Sequence, residues 1–288
     1  MLMVKAPAKI NLTLEVLVRR EDGYHQICSV IQAISLSDEL YFQSAEGIEF
    51  SSSSAEWVAE KSLVNRATGL LKIATGCSRG ALIEVNKRIP LVSGLGGDSS
   101  DAAAVLRGLN RLWELNLSRD ELLELARQIG SDVAFFLYGG TALVEGRGEV
   151  VTPLPPLPHR WVVLVVPPVS RMPDKTKQLY QSLSPGHYTD GRTTRRMVDA
   201  IEKGEAVTPA MLYNTFENVA LTRFEGLDSI WERVAAAGAG DIRLAGSGPA
   251  LFILFEDKSR TEELDNRLQQ QGLESYLAET VNAVSEIA

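Results

Sequence analysis

The sequence predicts an α+β fold of two domains, and three observations support this prediction. Apolar and polar residues alternate from Ala8 to Val18, which is typical of a strand with one buried face. Four prolines lie within residues 150–159, where they favour a connection between domains. Beyond them, residues 161–280 carry strand and helix patterns in the order β-α-α-α-β-β-α-β. This order fits an antiparallel sheet with helices on one face. With the boundary in the proline-containing segment, we expect domains of residues 1–155 and 156–288.

The first strand is predicted from its alternation alone. The apolar residues of this stretch share one face and are expected in the core: Ile10, Leu12, Leu14, Val16 and Val18. The opposite face is polar and carries Lys9, Asn11, Thr13 and Glu15. On the pattern alone we expect this polar face to contact solvent.

A hairpin turn is predicted directly after this strand. The segment Arg19–Gly23 ends in Asp-Gly, which supplies the positive φ that a tight turn needs. An apolar strand follows from Ile27 to Leu36. Tyr24 and His25 lie between the turn and this strand, a position that favours surface residues.

The remainder of the N-terminal domain is predicted to contain both strands and helices. Residues 44–60 are polar and serine-rich and indicate a weakly packed strand and loop. The stretch Lys61–Gly76 contains a helix, Ala81–Val85 is a strand, and a helical pattern runs from Asp101 to Leu115. The segment Ser118–Gly130 begins with a capping box, and its terminal glycine ends the helix.

The C-terminal domain is predicted from short apolar runs and amphipathic patterns. The expected strands are Trp161–Val166, Ile242–Leu244, Ala250–Glu256 and Glu274–Thr280. The expected helices are Lys175–Leu183, Thr194–Lys203, Leu227–Ala237 and Thr261–Gln271. The glycine- and proline-containing segment Ser184–Thr194 is predicted to be a mobile surface loop.

Composition excludes several classes of function. The chain has 288 residues and a net charge of -8, which argues against nucleic acid as a partner. It has no apolar run of the roughly 18 residues that a membrane span needs and no signal-peptide pattern, so we expect a cytoplasmic protein. Cys28 and Cys77 are expected to be reduced, and three histidines without metal-site spacing argue against a catalytic zinc. Monomer and homodimer both stay open.

The segment Pro90–Ala104 is the most informative stretch of the chain. Its glycines allow backbone N–H groups to approach an anion, and the helix that follows presents unpaired N–H groups and a positive dipole end. Together these features predict a phosphate-binding loop. Ser99 or Ser100 is placed to cap the helix. A glycine-rich connection with an ordinary serine cap is the simpler alternative.

Two common phosphate loops are excluded by inspection. No lysine follows Gly97, as a Walker A loop requires, and Ser99 occupies the position of the third glycine of the dinucleotide fingerprint. The stretch instead resembles the phosphate loop of the GHMP kinases (galacto-, homoserine, mevalonate and phosphomevalonate kinases). The resemblance extends over nearly the whole chain, through Pro7–Leu14, Asp22–His25, Asn86–Pro90, Gly130–Val133 and Ala245–Pro249.

The resemblance to GHMP kinases implies an enzyme and its cofactors. It implies a ribosomal-protein-S5-like N-terminal domain, a ferredoxin-like C-terminal domain, and transfer of the γ-phosphoryl group of ATP to a small-molecule alcohol. The implied ATP-binding residues are Pro90, Gly94, Leu95, Gly96, Gly97, Asp98, Ser99 and Ser100. Mg²⁺ is expected with the phosphates, near Ser99 or Ser100.

The same resemblance assigns the catalytic residues. Asp132 lies two residues after Gly130 and directly before an apolar run, a pattern that suits a turn cap and a catalytic residue equally. The relatives have their catalytic aspartate at this position, so Asp132 is the expected base, and Lys9 is expected to orient it.

The substrate side is also assigned by resemblance. The match is best to members whose acceptor is a cytidine diphosphate derivative used in isoprenoid precursor synthesis. Tyr24 offers an aromatic face and His25 offers ring nitrogens for a cytosine base. Asn11 and the loop Gly246, Ser247 and Gly248 are expected beside the substrate, although Gly-Ser-Gly alone predicts only a tight hairpin.

One residue departs from the family pattern. Relatives carry Gly or Ser at the position of Asp98, and a carboxylate pointing at a triphosphate would repel it. We therefore expect Asp98 either to turn out of the loop or to reach Mg²⁺. Two rival functions stay open: another GHMP kinase of mevalonate or homoserine type, and a nucleotide-binding regulator of the same fold without catalysis.

Overall fold

The structure is a computed structural model that describes residues 1–170 and 172–282. The strands are β1 (Leu2–Asn11), β2 (Thr13–Arg19), β3 (His25–Ala45), β4 (Ile48–Ser52), β5 (Gly80–Asn86), β6 (Thr141–Gly146), β7 (Val150–Pro153), β8 (Trp161–Val166), β9 (Tyr213–Asn214), β10 (Arg243–Leu244), β11 (Leu251–Phe255) and β12 (Glu274–Glu279). The α-helices are α1 (Leu63–Thr75), α2 (Gly97–Leu112), α3 (Arg119–Ile129), α4 (Val133–Tyr138), α5 (Lys175–Ser182), α6 (Arg192–Glu202), α7 (Glu217–Arg223), α8 (Leu227–Ala236) and α9 (Lys258–Gln270). Short 3-10 helices span Ala59–Lys61, Pro185–His187 and Pro209–Met211.

The long strand β3 is the centre of the first sheet. It pairs antiparallel with β1 and β2, and also with β5 and β6. The predicted hairpin turn joins β2 to β3, with Arg19 opposite His25. Helix α2 packs against this sheet through Ala102, Ala103 and Ala104, which are fully buried. Because these side chains are small, the beginning of α2 lies close to the strands. The glycine-rich loop, which directly precedes α2, is therefore also close to this sheet.

The second sheet consists of the later strands in the order β10-β11-β8-β12, and all its pairings are antiparallel. Its apolar residues pack with those of α5, α7, α8 and α9 in a core that also includes Leu14, Val16 and Ile27 of the first sheet. The α+β fold class is thus confirmed. The short strand β9 pairs with β2 in the first sheet, so the C-terminal half of the chain also contributes to that sheet. The division between residues 155 and 156 stays a prediction.

The polar face of the first strand is buried, and the expectation that it contacts solvent was wrong. Lys9, Asn11, Thr13 and Glu15 are each at most 4% exposed. Helix α6 covers part of this face, because the Thr194 hydroxyl donates to Thr13 Oγ1 at 2.9 Å and its N–H donates to Glu15 Oε2 at 2.7 Å. The alternation also does not form one strand, since β1 ends at Asn11 and β2 begins at Thr13.

Other boundaries differ from the expected ones. Strand β3 is 21 residues long, much longer than the predicted apolar run. Helix α2 begins at Gly97 rather than Asp101, and α7 was not predicted. The segment expected to be a mobile loop holds a 3-10 helix and Tyr188, whose hydroxyl contacts His25. No helix within residues 1–170 and 172–282 is long and apolar enough to cross a membrane.

Candidate active site

The glycine-rich loop lies between the two sheets and approaches the backbone of a second loop. Gly94 has a φ of 93°, and a Cβ added there would lie 2.2 Å from the carbonyl oxygen of Ala245. Only glycine fits this contact, since both the φ and the space exclude a side chain. Leu95 is buried, and its carbonyl accepts from the N–H of Lys9 at 2.9 Å. The loop is therefore fixed to β1 on one side and to the segment after β10 on the other.

The cap of α2 is a glycine, so the expectation of a serine cap was wrong. Gly96 is the N-cap residue with a φ of 77°, and no side chain caps the helix. Ser99 and Ser100 lie within the first turn, where the N–H of Ser100 donates to the carbonyl of Gly96 at 2.9 Å. The side-chain hydroxyl of Ser100 is buried and has no hydrogen-bond partner. Without a side-chain cap, the first N–H groups of this helix stay available for an anion.

Asp98 is bound to the neighbouring helix. Its carboxylate accepts a hydrogen bond from the Ser62 hydroxyl and another from the N–H of Leu63 at 3.1 Å. Both donors lie at the N-terminus of α1, where a negative charge is favourable. The carboxylate therefore stabilises α1, in agreement with the first of the two arrangements expected for it.

Replacing Asp98 with alanine tests this role. The change removes the carboxylate from the beginning of α1, so we expect a loss of about 0.5–2 kcal/mol in unfolding free energy, the range of lost helix caps. The Mg²⁺ concentration for half-maximal rate should not change, because the carboxylate is already engaged by Ser62 and Leu63. A clear rise in this concentration, measured beside a thermal unfolding curve, would contradict the assignment.

A lysine and an aspartate meet beside the glycine-rich loop. Lys9 Nζ donates to Asn11 Oδ1 at 2.6 Å and lies 3.7 Å from Asp132 Oδ2. Lys9 is 4% exposed, and burial lowers its pKa while the Asp132 charge opposes this shift. Asn11 is in turn fixed by a bond from its Nδ2 to Ser29 Oγ at 2.8 Å. A chain of buried polar groups thus holds the lysine amine toward the aspartate.

Asp132 occupies the N-cap position of α4, but its side chain makes no capping hydrogen bond. The side chain is 35% exposed, so one carboxylate face is open while Lys9 lies near the other. This geometry leaves the carboxylate free to accept a proton from a bound molecule.

The second small-residue loop completes this side of the site. A Cβ added at Gly246 would lie 2.9 Å from Lys9 Nζ, so this loop contacts the lysine directly. Ser247 Oγ lies 2.9 Å from the hydroxyl of Thr176 at the beginning of α5. The Asn214 amide donates to the carbonyls of Leu244 and Gly246 at 2.9 and 2.8 Å. The short strand β9 therefore fixes the position of this loop.

The two aromatic candidates differ in their surroundings. Tyr24 is 58% exposed, and the Arg147 guanidinium lies over its ring at 4.9 Å. His25 is only partly exposed, stacks on Tyr180 with ring centroids 4.8 Å apart, and lies 3.2 Å from the Tyr188 hydroxyl. The pKa of His25 is lowered by burial and by the Arg19 charge. The neutral ring is therefore favoured, with one donor and one acceptor nitrogen.

A cavity of about 380 Å³ opens along the glycine-rich loop. One wall is formed by Gly94, Gly96 and Gly97, and the other by Trp57 and the segment leading into α1. Its volume lies in the range of small-molecule sites. Lys9 contacts the same loop, because its N–H donates to the carbonyl of Leu95.

Comparison with known proteins identifies the family. The GHMP kinases N terminal domain matches residues 62–140, and the GHMP kinases C terminal domain matches residues 197–273. The chain belongs to the GHMP kinase family. It is therefore a small-molecule kinase, and the resemblance noted in the sequence is confirmed.

Several relatives of this kinase share one name. It is 47% identical to 4-diphosphocytidyl-2-C-methyl-D-erythritol kinase of Dehalococcoides mccartyi over 98% of this chain and 99% of that protein. Identity to the protein of the same name from Geobacillus kaustophilus is 41%, over 93% of each chain. A crystal structure of 4-(cytidine 5′-diphospho)-2C-methyl-D-erythritol kinase matches with a TM-score of 0.81 at 32% identity, over 96% of this chain and 98% of that one. A homoserine kinase from Cytophaga hutchinsonii matches with a TM-score of 0.75 at 19% identity, over 98% and 95% of the two chains, which shows a shared fold alone.

Several residues of the candidate site were not identified from the sequence. Tyr180 lies under His25, and its pKa is raised by burial and by the Asp132 charge. Lys175 lies at the junction of the two small-residue loops. Both residues are on α5, whose amphipathic pattern predicts a helix without indicating which loop it covers. Nor was a role assigned from the sequence to Asn214, whose amide holds the second small-residue loop.

Proposed function

We propose that this GHMP kinase transfers the γ-phosphoryl group of ATP to the 2-hydroxyl of 4-diphosphocytidyl-2-C-methyl-D-erythritol, a step in the synthesis of isoprenoid precursors. The observation that carries the proposal is the Lys9–Asp132 pair beside the glycine-rich loop, in a chain whose relatives are named for this acceptor. The donor side is supported by the cavity along the loop and by the uncapped N-terminus of α2.

In this proposal, Asp132 accepts the proton of the acceptor hydroxyl. A tertiary alcohol is a weak acid, so its proton must leave while the oxygen attacks phosphorus. Lys9 lies 3.7 Å from the carboxylate and orients it, and its charge favours the negative phosphoryl oxygens. Asn11 keeps the lysine amine in place through their 2.6 Å hydrogen bond. The reaction is thus carried by positioning and charge, as is general for phosphoryl transfer.

ATP is assigned to the loop residues expected from the sequence, and Mg²⁺ is assigned to the same site as the ion that binds with ATP. The residues described contain no cluster of three His, Cys, Asp or Glu side chains that could hold a metal. Phosphate oxygens and water would therefore supply most ligands, as is usual for Mg²⁺. Ser99, which is partly exposed, and Ser100, whose hydroxyl lacks a partner, are the protein groups that fit this role. When bound, Mg²⁺ would neutralise part of the negative charge of the phosphates.

The cytosine base is assigned to Tyr24 and His25. The exposed Tyr24 ring offers a stacking surface, and the position of the His25 ring is fixed by its contacts with Tyr180 and Tyr188. A fixed ring presents its nitrogens in one direction, which suits recognition of a base edge. The loop Gly246–Gly248 lies on the acceptor side because it contacts Lys9.

Replacing Tyr24 with alanine should raise KM for the cytidylyl substrate by about 5- to 100-fold, since stacking on a base contributes about 1–3 kcal/mol. KM for ATP should stay unchanged. Tyr24→Phe is the matched control, because it keeps the ring and should behave like the unchanged protein. Steady-state kinetics with each substrate varied in turn measures both constants. A rise in KM for ATP alone would assign Tyr24 to the other nucleotide.

An acceptor panel separates this function from its rivals. ATP consumption is measured with the cytidylyl substrate, mevalonate and homoserine as acceptors. We expect turnover with the cytidylyl substrate, because neither of the other two carries a base for Tyr24 and His25. Turnover with mevalonate or homoserine alone would overturn the acceptor assignment. ATP binding without any turnover would favour a regulator, against which the retained pair of Lys9 and Asp132 argues. A cytoplasmic location and the oligomeric state stay predictions from the sequence.

A further inference from the structure

Lys175 connects the two small-residue loops through backbone carbonyls. Its side chain leaves the first turn of α5, is 7% exposed, and donates to the carbonyl of Val92 at 2.9 Å and to the carbonyl of Gly248. Val92 lies in the glycine-rich loop and Gly248 in the loop after β10. A single amine thus joins two segments that are far apart in the sequence.

The backbone at one of these two carbonyls is strained. Val92 has a φ of 58°, which is rare for a β-branched residue and costs on the order of 1–3 kcal/mol. Such a conformation persists only where its surroundings hold it. The bond from Lys175 is a contact of this kind, since Val92 itself is 51% exposed and has little packing to restrain it.

The loops touch at further points beside the lysine. The N–H of Ala250 donates to the carbonyl of Ser93 at 3.0 Å, and Gly94 contacts the backbone of Ala245 and Gly248 too closely for any Cβ. The relative position of the loops is thus set within a small patch of backbone. Lys175 lies at its edge, and its amine donates to a backbone carbonyl of each loop.

A buried lysine at this position is energetically unfavourable, so packing alone does not account for it. Burial and the nearby Lys9 charge lower the pKa of Lys175 to about 7. No carboxylate pairs with it within residues 1–170 and 172–282, so its partners are neutral carbonyls. A buried cation without a counterion is unfavourable, and such groups concentrate at functional sites.

We propose that Lys175 is a positioning residue that holds the glycine-rich loop against the loop Gly246–Gly248, in the shape that binds the triphosphate of ATP. The proposal rests on the assignment of ATP to the glycine-rich loop, and it needs no particular acceptor. Its effect passes through the strained Val92 backbone, two residues before Gly94. Loss of the amine should therefore weaken ATP binding more than it affects the acceptor.

The test compares Lys175→Met with Lys175→Gln and Lys177→Met. Methionine keeps the length of the side chain and removes all donors, whereas the glutamine amide keeps two N–H donors without charge. Lys177 is exposed on the same helix, so its methionine variant is the matched control. Calorimetric titration with ATP alone gives Kd for each protein. Its result does not depend on which acceptor the kinase uses, so failure here and failure of the acceptor assignment are distinguishable.

We expect Lys175→Met to raise Kd and KM for ATP by about tenfold to a hundredfold, the effect of losing two hydrogen bonds to buried carbonyls. KM for the acceptor should change less than twofold. Lys175→Gln should recover most of the ATP affinity, and Lys177→Met should match the unchanged protein. If Lys175→Met does not fold, a glutamine variant with normal ATP affinity supports the proposal, and one that folds but has lost ATP affinity contradicts it. An unchanged Kd for ATP in a folded Lys175→Met variant overturns the proposal.

Discussion

Replacing Asp132 with asparagine is expected to lower kcat by about 10²–10⁴-fold, the usual contribution of a general base. Asparagine keeps the size of the side chain and removes the group that accepts the proton. ATP affinity should stay nearly intact, because Asp132 contacts Lys9 and lies outside the glycine-rich loop. Single-turnover kinetics and an ATP titration on the same protein measure the two quantities separately.

Two comparisons make this result specific. Asp132 makes no capping hydrogen bond, so the variant should keep a nearly normal melting temperature. Asp120, an exposed aspartate in the first turn of α3, gives the matched control in Asp120→Asn. A near-normal kcat in correctly folded Asp132→Asn would remove this residue from the catalytic step. A large fall in melting temperature would give it a structural role.

Replacing Lys87 with methionine is expected to destabilise the kinase by about 3–5 kcal/mol, the cost of leaving buried charge unpaired. Lys87 Nζ donates to Asp38 at 2.5 Å and to Asp101 at 2.6 Å, and both carboxylates are fully buried. Asp38 also accepts from the N–H of Ile89 at 2.8 Å, and Asp101 lies in α2. This cluster joins β3 and the segment after β5 to the helix that follows the glycine-rich loop. Chemical denaturation at pH 7 measures the loss.

The pH dependence of stability and a second variant test whether an unpaired buried carboxylate causes the destabilisation in Lys87→Met. Burial raises the pKa of Asp101, so its carboxyl group binds a proton more readily in the folded chain than in the unfolded chain. The ionised form of Asp101 therefore destabilises the folded chain increasingly as pH rises. The destabilisation in Lys87→Met should therefore shrink as pH falls from 7 toward 4. Adding Asp101→Asn to Lys87→Met should recover part of the loss. Lys5→Met, an exposed control in β1, should change stability by less than about 0.5 kcal/mol. A loss below about 1 kcal/mol for Lys87→Met would contradict this account.

The glycine-rich loop was predictable because its chemistry is local. Glycines before a helix with small first-turn residues determine both the close backbone contact at Gly94 and the open N-terminus of α2. The capping box of α3 was predictable for the same reason, and Ser118 and Glu121 bond each other as expected. The serine cap was the error of this region. The αL conformation at Gly96 begins the helix earlier than the apolar pattern does.

The buried polar face of β1 and β2 was not predictable from alternation. A period of two assigns residues to faces, but it does not say whether another element covers the second face. Here Thr194 of α6 covers Thr13 and Glu15 from 181 and 179 residues away. Lys9 and Asn11 are buried with them, and this burial brings the amine to Asp132.

Asp98 and Lys175 illustrate the same limit at the site. Asp98 departs from the family pattern, and its partner Ser62 lies 36 residues earlier, at the start of a different helix. Lys175 looks like one of several polar residues on an amphipathic helix, and only the fold brings it to Val92, 83 residues away. Resemblance indicated Lys9 and Asp132 as the proposed catalytic pair, whereas the contacts of Asp98 and Lys175 join segments that are distant in the sequence.

The most direct test of the proposed reaction is the ³¹P NMR spectrum of the product made from ATP and the cytidylyl substrate. In a 2-C-methyl compound the carbon at position 2 carries no hydrogen, so a phosphate on its hydroxyl has no proton three bonds away. We expect one new phosphomonoester resonance that proton coupling does not split, formed together with ADP. A resonance split by a carbon-bound proton would place the phosphate on another hydroxyl. That result, or the absence of a new phosphomonoester, would contradict the reaction proposed for Lys9 and Asp132.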